Sequence, residues 1–213
     1  MEIVYGTQNV AKYDSMKVLF KSLEDEYGLN LLSLNELDFS FPEVDETGAN
    51  TLDNARLKAY AYYDIIKKPV FSIDSGLYLN DLPDKLQPGL MVRRINGKRL
   101  NDEEMVDYYS KLAVSQGGKI AGRYRNGICF VLGDGKVFEY AGEDIASELF
   151  YITPKPHEKS VEGFPIDRLS VHIESNQYYY DREFEKEEAW NTEKGLLKFF
   201  RAVFDTIKQG ELA

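Results

Sequence analysis

The first 75 residues alternate short apolar strands with amphipathic helices, and this order constrains the fold more than any other feature of the chain. Strand-like runs occupy residues 3–5, 29–34 and 70–73. Between them, apolar side chains recur every three or four positions, which is typical of helices that bury one face. The first helix should end at Gly28, and the second should begin with Thr51 as its N-cap. This order predicts an α/β sheet with crossover connections.

The second half of the chain carries a different pattern. Asn101 and Glu104 form a capping-box signal for one more helix. Residues 120–132 and 136–140 are strand-like and are joined by the turn at 133–135, which contains two glycines. This arrangement predicts a β-hairpin in a region with little helix.

The change of pattern suggests a single domain built from two lobes with a central substrate cleft. Lobe 1 is expected to span about 1–112 plus 174–213, and lobe 2 about 113–173. Residues 196–207 have the strongest amphipathic pattern of the chain and are expected to pack back onto lobe 1 as a helix.

Composition excludes several classes of function. Acidic residues outnumber basic ones 36 to 26, for a net charge of -10, so binding to a nucleic acid backbone is not expected. No apolar run approaches the ~20 residues of a membrane helix, so no membrane association is expected. The only cysteine, Cys129, lies in an apolar run, and the two histidines, His157 and His172, do not form a zinc-ligand pattern with it. A cytoplasmic protein is expected.

Thr7, Asn9 and Lys12 lie where the first strand changes into the first helix. Unpaired backbone N–H groups at a helix N-terminus bind phosphate, and a lysine in the first turn would add a full positive charge. The alternative is that Thr7 or Asn9 only caps the helix and that Lys12 is a solvated surface residue.

Glu46 and Asp74 are the second candidate. Asp74 is predicted to follow a buried strand directly, at the sheet edge where α/β proteins bind ligands. Mg²⁺ is often held by one or two carboxylates together with substrate phosphates and water. The alternative is an ordinary turn at Asp74 and plain surface charge at Glu46.

Lys58 is the third candidate. It lies beside the apolar stripe of the second predicted helix, one turn after Asn54. Its side chain could snorkel at the rim of the core, or it could contact an anion.

The order and spacing of these motifs resemble the inosine triphosphate pyrophosphatase family, whose members hydrolyse noncanonical purine nucleoside triphosphates. The motifs are Thr7-x-Asn9-x-x-Lys12, Glu46-Thr47-Gly48, Asn54-Ala55-x-x-Lys58-Ala59, Asp74-Ser75-Gly76 and Pro88-Gly89. The match covers roughly the first 95 residues and continues more loosely to Tyr140. Five motifs in order are far more specific than one. The resemblance implies a two-lobed mixed-sheet α/β fold and a homodimer.

The resemblance also implies roles for individual residues. Contacts to the substrate phosphates are implied for Thr7, Asn9, Lys12 and Lys58, and a contact to the substrate is implied for Ser75. Glu46 and Asp74 are implied to serve Mg²⁺ and the attacking water, with Asp74 as the general base.

The C-terminal half departs from the family pattern. The family's F-G-Y-D segment corresponds to residues 164–167, which keep only Phe164 and Asp167, and its S-H-R-G segment corresponds to 192–195, where Glu193 and Lys194 replace the His-Arg pair. Phe164 would stack on the base, Asp167 would bind its edge, and Lys194 would contact the phosphate chain. These changes affect base recognition more than phosphate chemistry.

The sequence therefore predicts a Mg²⁺-dependent nucleoside triphosphate pyrophosphohydrolase that acts on ITP, dITP or XTP. Two alternatives remain open: the same chemistry on a different nucleotide, and a non-catalytic nucleotide-binding regulatory protein. The tyrosine-rich stretch at 178–180 is interpreted as a structural strand or as part of a dimer surface.

Overall fold

The computed structural model describes residues 1–133, 135–182 and 191–211. The α-helices within these ranges are α1 (Val10–Tyr27), α2 (Thr51–Ile66), α3 (Asp102–Ser115) and α4 (Asn191–Glu211). The strands are β1 (Glu2–Tyr5), β2 (Asn30–Ser33), β3 (Val70–Leu79), β4 (Arg94–Ile95), β5 (Lys98–Arg99), β6 (Ile120–Gly133), β7 (Lys136–Tyr140), β8 (Phe150–Ile152) and β9 (Ser170–His172). In the described part of the chain, no helix is long and apolar enough to cross a membrane.

These elements form two compact units. The first unit consists of Met1–Ser75, Asn126–Ala146 and Trp190–Ala213, and the second of Gly76–Arg125 and Ser147–Ala189. Strands β3 and β6 contribute residues to both units. The lobe boundaries expected from the sequence stay a prediction.

In the first unit the strands follow the order β2-β1-β3-β6, with β7 paired to β6. Strand β1 pairs in parallel with both β2 and β3, and the register places Val4 opposite Val70. The β6–β7 pair is antiparallel, which confirms the predicted hairpin, although Asp134 in its turn lies outside the described residues. The mixed α/β class expected from the sequence is therefore confirmed.

The core of the first unit is built largely from aromatic rings. Phe20 of α1 stacks on Phe71 of β3 with ring centroids 5.5 Å apart, and it meets Phe200 of α4 edge-on at 4.7 Å. Phe204, one turn further along α4, joins the same cluster. The C-terminal amphipathic pattern thus forms a helix that packs onto the residues of the first strands, as expected.

In the second unit, β6, β8 and β9 pair antiparallel. Helix α3 covers its own apolar cluster, in which Tyr109 is fully buried beside Leu77 and Ile152. Asn101 and Glu104 form the reciprocal capping box that the sequence predicted for this helix.

Two local expectations are wrong, one about the N-cap of α2 and one about residues 178–180. The N-cap of α2 is Asn50 rather than Thr51, because the Asn50 side-chain oxygen accepts the Asp53 N–H at 2.9 Å. Residues 178–180 are not a strand, because Tyr179–Asp181 forms a short 3-10 helix.

The end of β3 also differs from the expectation. Asp74 does not follow the strand but lies inside it, because β3 continues to Leu79. The continuation is stabilised by a reciprocal pair of backbone hydrogen bonds between Leu77 and Gly89, both 2.9 Å long. The expectation that the strand ends before Asp74 is therefore wrong, and so is the alternative of an ordinary turn at Asp74.

Candidate active site

The turn between β1 and α1 is held by its own side chains. Thr7 Oγ1 accepts the Asn9 N–H at 3.2 Å, and Asn9 Oδ1 accepts the Lys12 N–H at 3.1 Å as the N-cap of α1. These capping bonds use the acceptor oxygens Thr7 Oγ1 and Asn9 Oδ1, and both side chains also carry donor groups. The capping role and the anion-binding role are therefore compatible.

The register of the sheet brings this turn to the first residues of β3. The Gly6 N–H donates to the Phe71 carbonyl at 2.7 Å, and the Ser72 hydroxyl donates to the Gly6 carbonyl at 2.9 Å. Strand β1 ends here, whereas β3 continues. Asp74 therefore lies just beyond the carboxyl end of β1. This is the edge of the parallel strands where α/β proteins bind ligands.

Lys58 of α2 joins the two acids that the sequence singled out. Its Nζ lies 2.6 Å from Asp74 Oδ1 and 2.9 Å from Glu46 Oε1. The Lys58 and Asp74 side chains are 13% and 9% exposed, whereas the Glu46 side chain is 41% exposed. One ammonium group thus bridges a buried carboxylate and a half-exposed one.

The two carboxylates together affect the pKa of Lys58 more strongly than burial does. Burial alone would lower the pKa of Lys58, but the Asp74 and Glu46 carboxylates outweigh it and raise the pKa above its ordinary value. Lys58 is therefore a permanent cation at physiological pH.

Asn54, one turn before Lys58 on α2, fixes both acid-bearing segments. Its Nδ2 donates to Asp74 Oδ2 at 3.3 Å, and its Oδ1 accepts the Gly48 N–H at 2.8 Å. Asn54 is 1% exposed. A Cβ on Gly48 would lie 2.6 Å from the Asp53 Cβ, so only glycine lets the loop approach α2 this closely.

Asn54 is the functional residue to which the sequence motifs assign no role. Its spacing of four residues from Lys58 indicates that the two side chains share one helix face, and this signal could have identified it. What it touches depends on loop 46–48 and on β3, and neither contact can be read from α2 alone.

Ser75 and Lys194 do not belong to the Lys58, Asp74 and Glu46 cluster. Ser75 follows Asp74 in β3, so strand alternation directs its side chain to the opposite face of the sheet. Lys194 is exposed in the first turn of α4. That turn is anchored by the Thr192 hydroxyl, which donates to the Ala146 carbonyl at 2.8 Å.

Phe164 and Asp167 belong to the second unit, where they flank the start of the 3-10 helix Pro165–Leu169. The Asp167 N–H donates to the Phe164 carbonyl at 3.2 Å. Burial raises the pKa of the Asp167 carboxyl to about 6. Burial, together with the charge of Asp167, also raises the pKa of Tyr124.

The chemistry of the donor set fits Mg²⁺. Glu46 and Asp74 already converge on one cation, the Lys58 ammonium. Within the described residues, no group of three or more His, Cys, Asp or Glu side chains is placed to hold a metal. Water and substrate phosphates would have to complete the coordination, as is usual for Mg²⁺.

Two relatives share part of this sequence. The dITP/XTP pyrophosphatase of Malacoplasma penetrans is 28% identical over 147 residues, which are 67% of this chain and 70% of that protein. The dITP/XTP pyrophosphatase of Staphylococcus epidermidis is 34% identical over 106 residues, half of each chain. The match thus spans about half the length of the second relative.

The fold and the family agree with these relatives. The solved structure of the Staphylococcus aureus Ham1 protein matches 97% of this chain and 99% of its own, with a TM-score of 0.66 at 22% identity. Residues 3–156 match the sequence model of the Ham1 family. The chain belongs to the Ham1 family, which is the inosine triphosphate pyrophosphatase family that its motifs resemble.

Proposed function

We propose that this protein is a Mg²⁺-dependent pyrophosphohydrolase that converts noncanonical purine nucleoside triphosphates (ITP, dITP or XTP) to the monophosphate and pyrophosphate. Family membership and the dITP/XTP pyrophosphatase names of its relatives support the reaction. The observation that carries the proposal is the convergence of Glu46 and Asp74 on one cation position, next to a helix N-terminus.

The triphosphate binds at the turn after β1. Backbone N–H groups of the first turn of α1 point toward the ligand, and the Thr7 hydroxyl and Asn9 amide add neutral donors. Lys12 and Lys58 supply positive charge in a protein whose net charge is -10. Lys194 acts as a further phosphate contact, and Ser75, whose side chain leaves β3 on the face opposite to Asp74, contacts another part of the substrate.

Glu46 and Asp74 hold the metal, which supplies charge neutralisation at the phosphate oxygens. Asp74 also orients the attacking water and accepts its proton as general base. In the nucleotide-free protein, Asn54 and Lys58 each donate to one Asp74 oxygen, and the Asn54 amide fixes the direction of the carboxylate. Attack on the phosphoryl group next to the sugar releases pyrophosphate, and the lysines hold that leaving group.

Base recognition is assigned to the second unit. Phe164 stacks on the purine, and Asp167 binds polar atoms on its edge. The family's glycine and tyrosine between them are Pro165 and Ile166 here, and Glu193 replaces its histidine. These changes are the specific observation that favours a second candidate, the same reaction on a different nucleotide.

The assembly and cellular location extend the proposal. A homodimer is proposed, with residues 178–180 as a candidate surface. A cytoplasmic location is proposed because the only cysteine, Cys129, is buried, and burial raises its pKa to about 12. Such a thiol needs no oxidising compartment.

The test is pyrophosphate release from a panel of ITP, dITP, XTP, the four standard triphosphates and modified pyrimidine triphosphates, each with Mg²⁺ and with EDTA. Selective turnover of ITP, dITP or XTP that requires Mg²⁺ is expected. Turnover of another nucleotide alone would support the second candidate. Nucleotide binding without any turnover would contradict both and indicate a regulatory protein.

A further inference from the structure

Lys58 occupies the place between the two proposed metal ligands. Its Nζ takes one oxygen from Asp74 at 2.6 Å and one from Glu46 at 2.9 Å. The side chain is only 13% exposed, so the ammonium is withdrawn from water rather than swinging freely. A cation that bridges two carboxylates stands where a divalent ion would bind the same pair.

An ammonium and a divalent cation cannot both sit at this point, because like charges at contact distance repel strongly where water is excluded. Removal of the ammonium without a replacement is also unfavourable, because it leaves a buried carboxylate unpaired. The site is therefore occupied by one cation or the other.

We propose that Lys58 is a built-in occupant of the cation position in the nucleotide-free protein, and that it moves to the triphosphate when metal and nucleotide bind together. The inference rests on the proposed function and adds an order of events to it. Metal alone must displace a paired lysine, whereas a metal–nucleotide complex brings both the replacement cation and new anionic partners for the lysine.

The surrounding bonds permit this exchange. Asn54 donates to Asp74 Oδ2 and accepts from the Gly48 backbone, and neither bond involves Lys58. Asp74 and the loop that carries Glu46 therefore keep this anchor when the lysine leaves. The lysine stem has four flexible methylenes and three donors, which suits a charge that changes partners.

Mn²⁺ binding in the absence of nucleotide tests the inference, with electron paramagnetic resonance of free Mn²⁺ as the readout. Lys58→Met is compared with wild type and with Lys68→Met, which removes a surface ion pair to Glu2 whose side chains are 44% and 50% exposed. Lys58→Met should bind Mn²⁺ at least about tenfold more tightly than wild type. Lys68→Met should match wild type. Equal or weaker binding by Lys58→Met would overturn the inference.

The wild-type protein keeps the inference testable if Lys58→Met does not fold. Wild type should need millimolar Mn²⁺ for saturation without nucleotide, and saturation at micromolar Mn²⁺ would overturn the inference. Lys58→Arg retains a cation and should bind Mn²⁺ as weakly as wild type.

Failure of the inference and failure of the proposed function give different results. Normal nucleotide hydrolysis by wild type with equal Mn²⁺ affinities in wild type and Lys58→Met would defeat the inference alone. Tight Mn²⁺ binding by Lys58→Met with no hydrolysis of any triphosphate by wild type would defeat the proposed function and support the cation position.

Discussion

Asp74 in the first unit is buried and Asp167 in the second is partly buried, and the two carboxyl groups have different neighbours. Asp74 is met by the Lys58 ammonium at 2.6 Å and by the Asn54 amide at 3.3 Å. Around Asp167, burial dominates and raises the pKa of the carboxyl to about 6. Asp74 thus has a counter-charge and a hydrogen-bond donor beside it, whereas a charged group at Asp167 costs folding energy.

This difference matches the chemistry proposed for each residue. A general base and metal ligand must be ionised at neutral pH, and a lysine partner favours that form. A residue that reads the edge of a base gains from an unpaired, poorly hydrated polar group, because a matching ligand then satisfies it. The paired carboxylate therefore suits catalysis and the isolated one suits recognition.

The largest expected effect is the difference in kcat between Asp74→Asn and Asp167→Asn. Asp74→Asn should lower kcat for pyrophosphate release by about 10³-fold or more, since it removes the general base and a metal ligand. Asp167→Asn should keep most of kcat and change the relative kcat/KM of the nucleotides instead. Steady-state kinetics on ITP and ATP check this, and full activity of Asp74→Asn would refute the assignment.

The next effect concerns folding stability at neutral pH. Lys58→Met should lower the free energy of unfolding by about 3 kcal/mol in EDTA, because it strands the buried Asp74 carboxylate. Urea denaturation measures the loss. Lys68→Met, which breaks only an exposed pair, should change stability by less than about 1 kcal/mol. A similar loss in both variants would show that the Lys58 cluster is no more than a surface ion pair.

Asp167→Asn should raise the free energy of unfolding at neutral pH, whereas Lys58→Met lowers it. A carboxyl whose pKa is raised on folding binds its proton more tightly in the folded state, so stability is highest below the unfolded pKa, near 4, and falls as the pH rises to about 6. The variant removes that loss and should be more stable than wild type by about 3 kcal/mol at pH 7.5. Near pH 4 the gain should vanish, as urea denaturation at both pH values would show. A gain that is the same at both pH values would mean that ionisation is not its cause.

The smallest effect is expected at the exposed Lys194. A solvated lysine that contacts phosphate contributes little, so Lys194→Met should raise KM by about two- to threefold and leave kcat nearly unchanged. A large fall in kcat would instead place Lys194 in contact with the reacting phosphate. Steady-state kinetics on ITP distinguish these results.

Much of the fold could be predicted from local patterns. The alternation of strands and helices, the capping box at Asn101 and the hairpin formed by β6 and β7 depend on neighbouring residues and period, and each is confirmed. One error is local, the N-cap of α2, which lies one residue earlier than expected. The larger error lies where distant segments decide the outcome, because β3 pairs with β6 and bonds to Gly89 and so continues past Asp74.

The candidate site was only partly predictable for the same reason. The residue types and their order pointed to phosphate and metal chemistry, and the family is confirmed. The sequence could not show that Lys58 lies between Glu46 and Asp74, since these residues come from a helix, a loop and a strand. It also gave Asn54 no role, because both of its partners are brought to it by folding.

The α/β class, the main helices, the family and the set of polar residues that can bind a triphosphate follow from the order of residues along the chain. Periodicity, caps and motif order can be recognised from neighbouring residues alone, without knowledge of the fold. Folding in three dimensions sets which carboxylate is paired with a cation and which has its pKa raised by burial. Those states depend on how close distant charges come and how much water is excluded, and packing alone sets both.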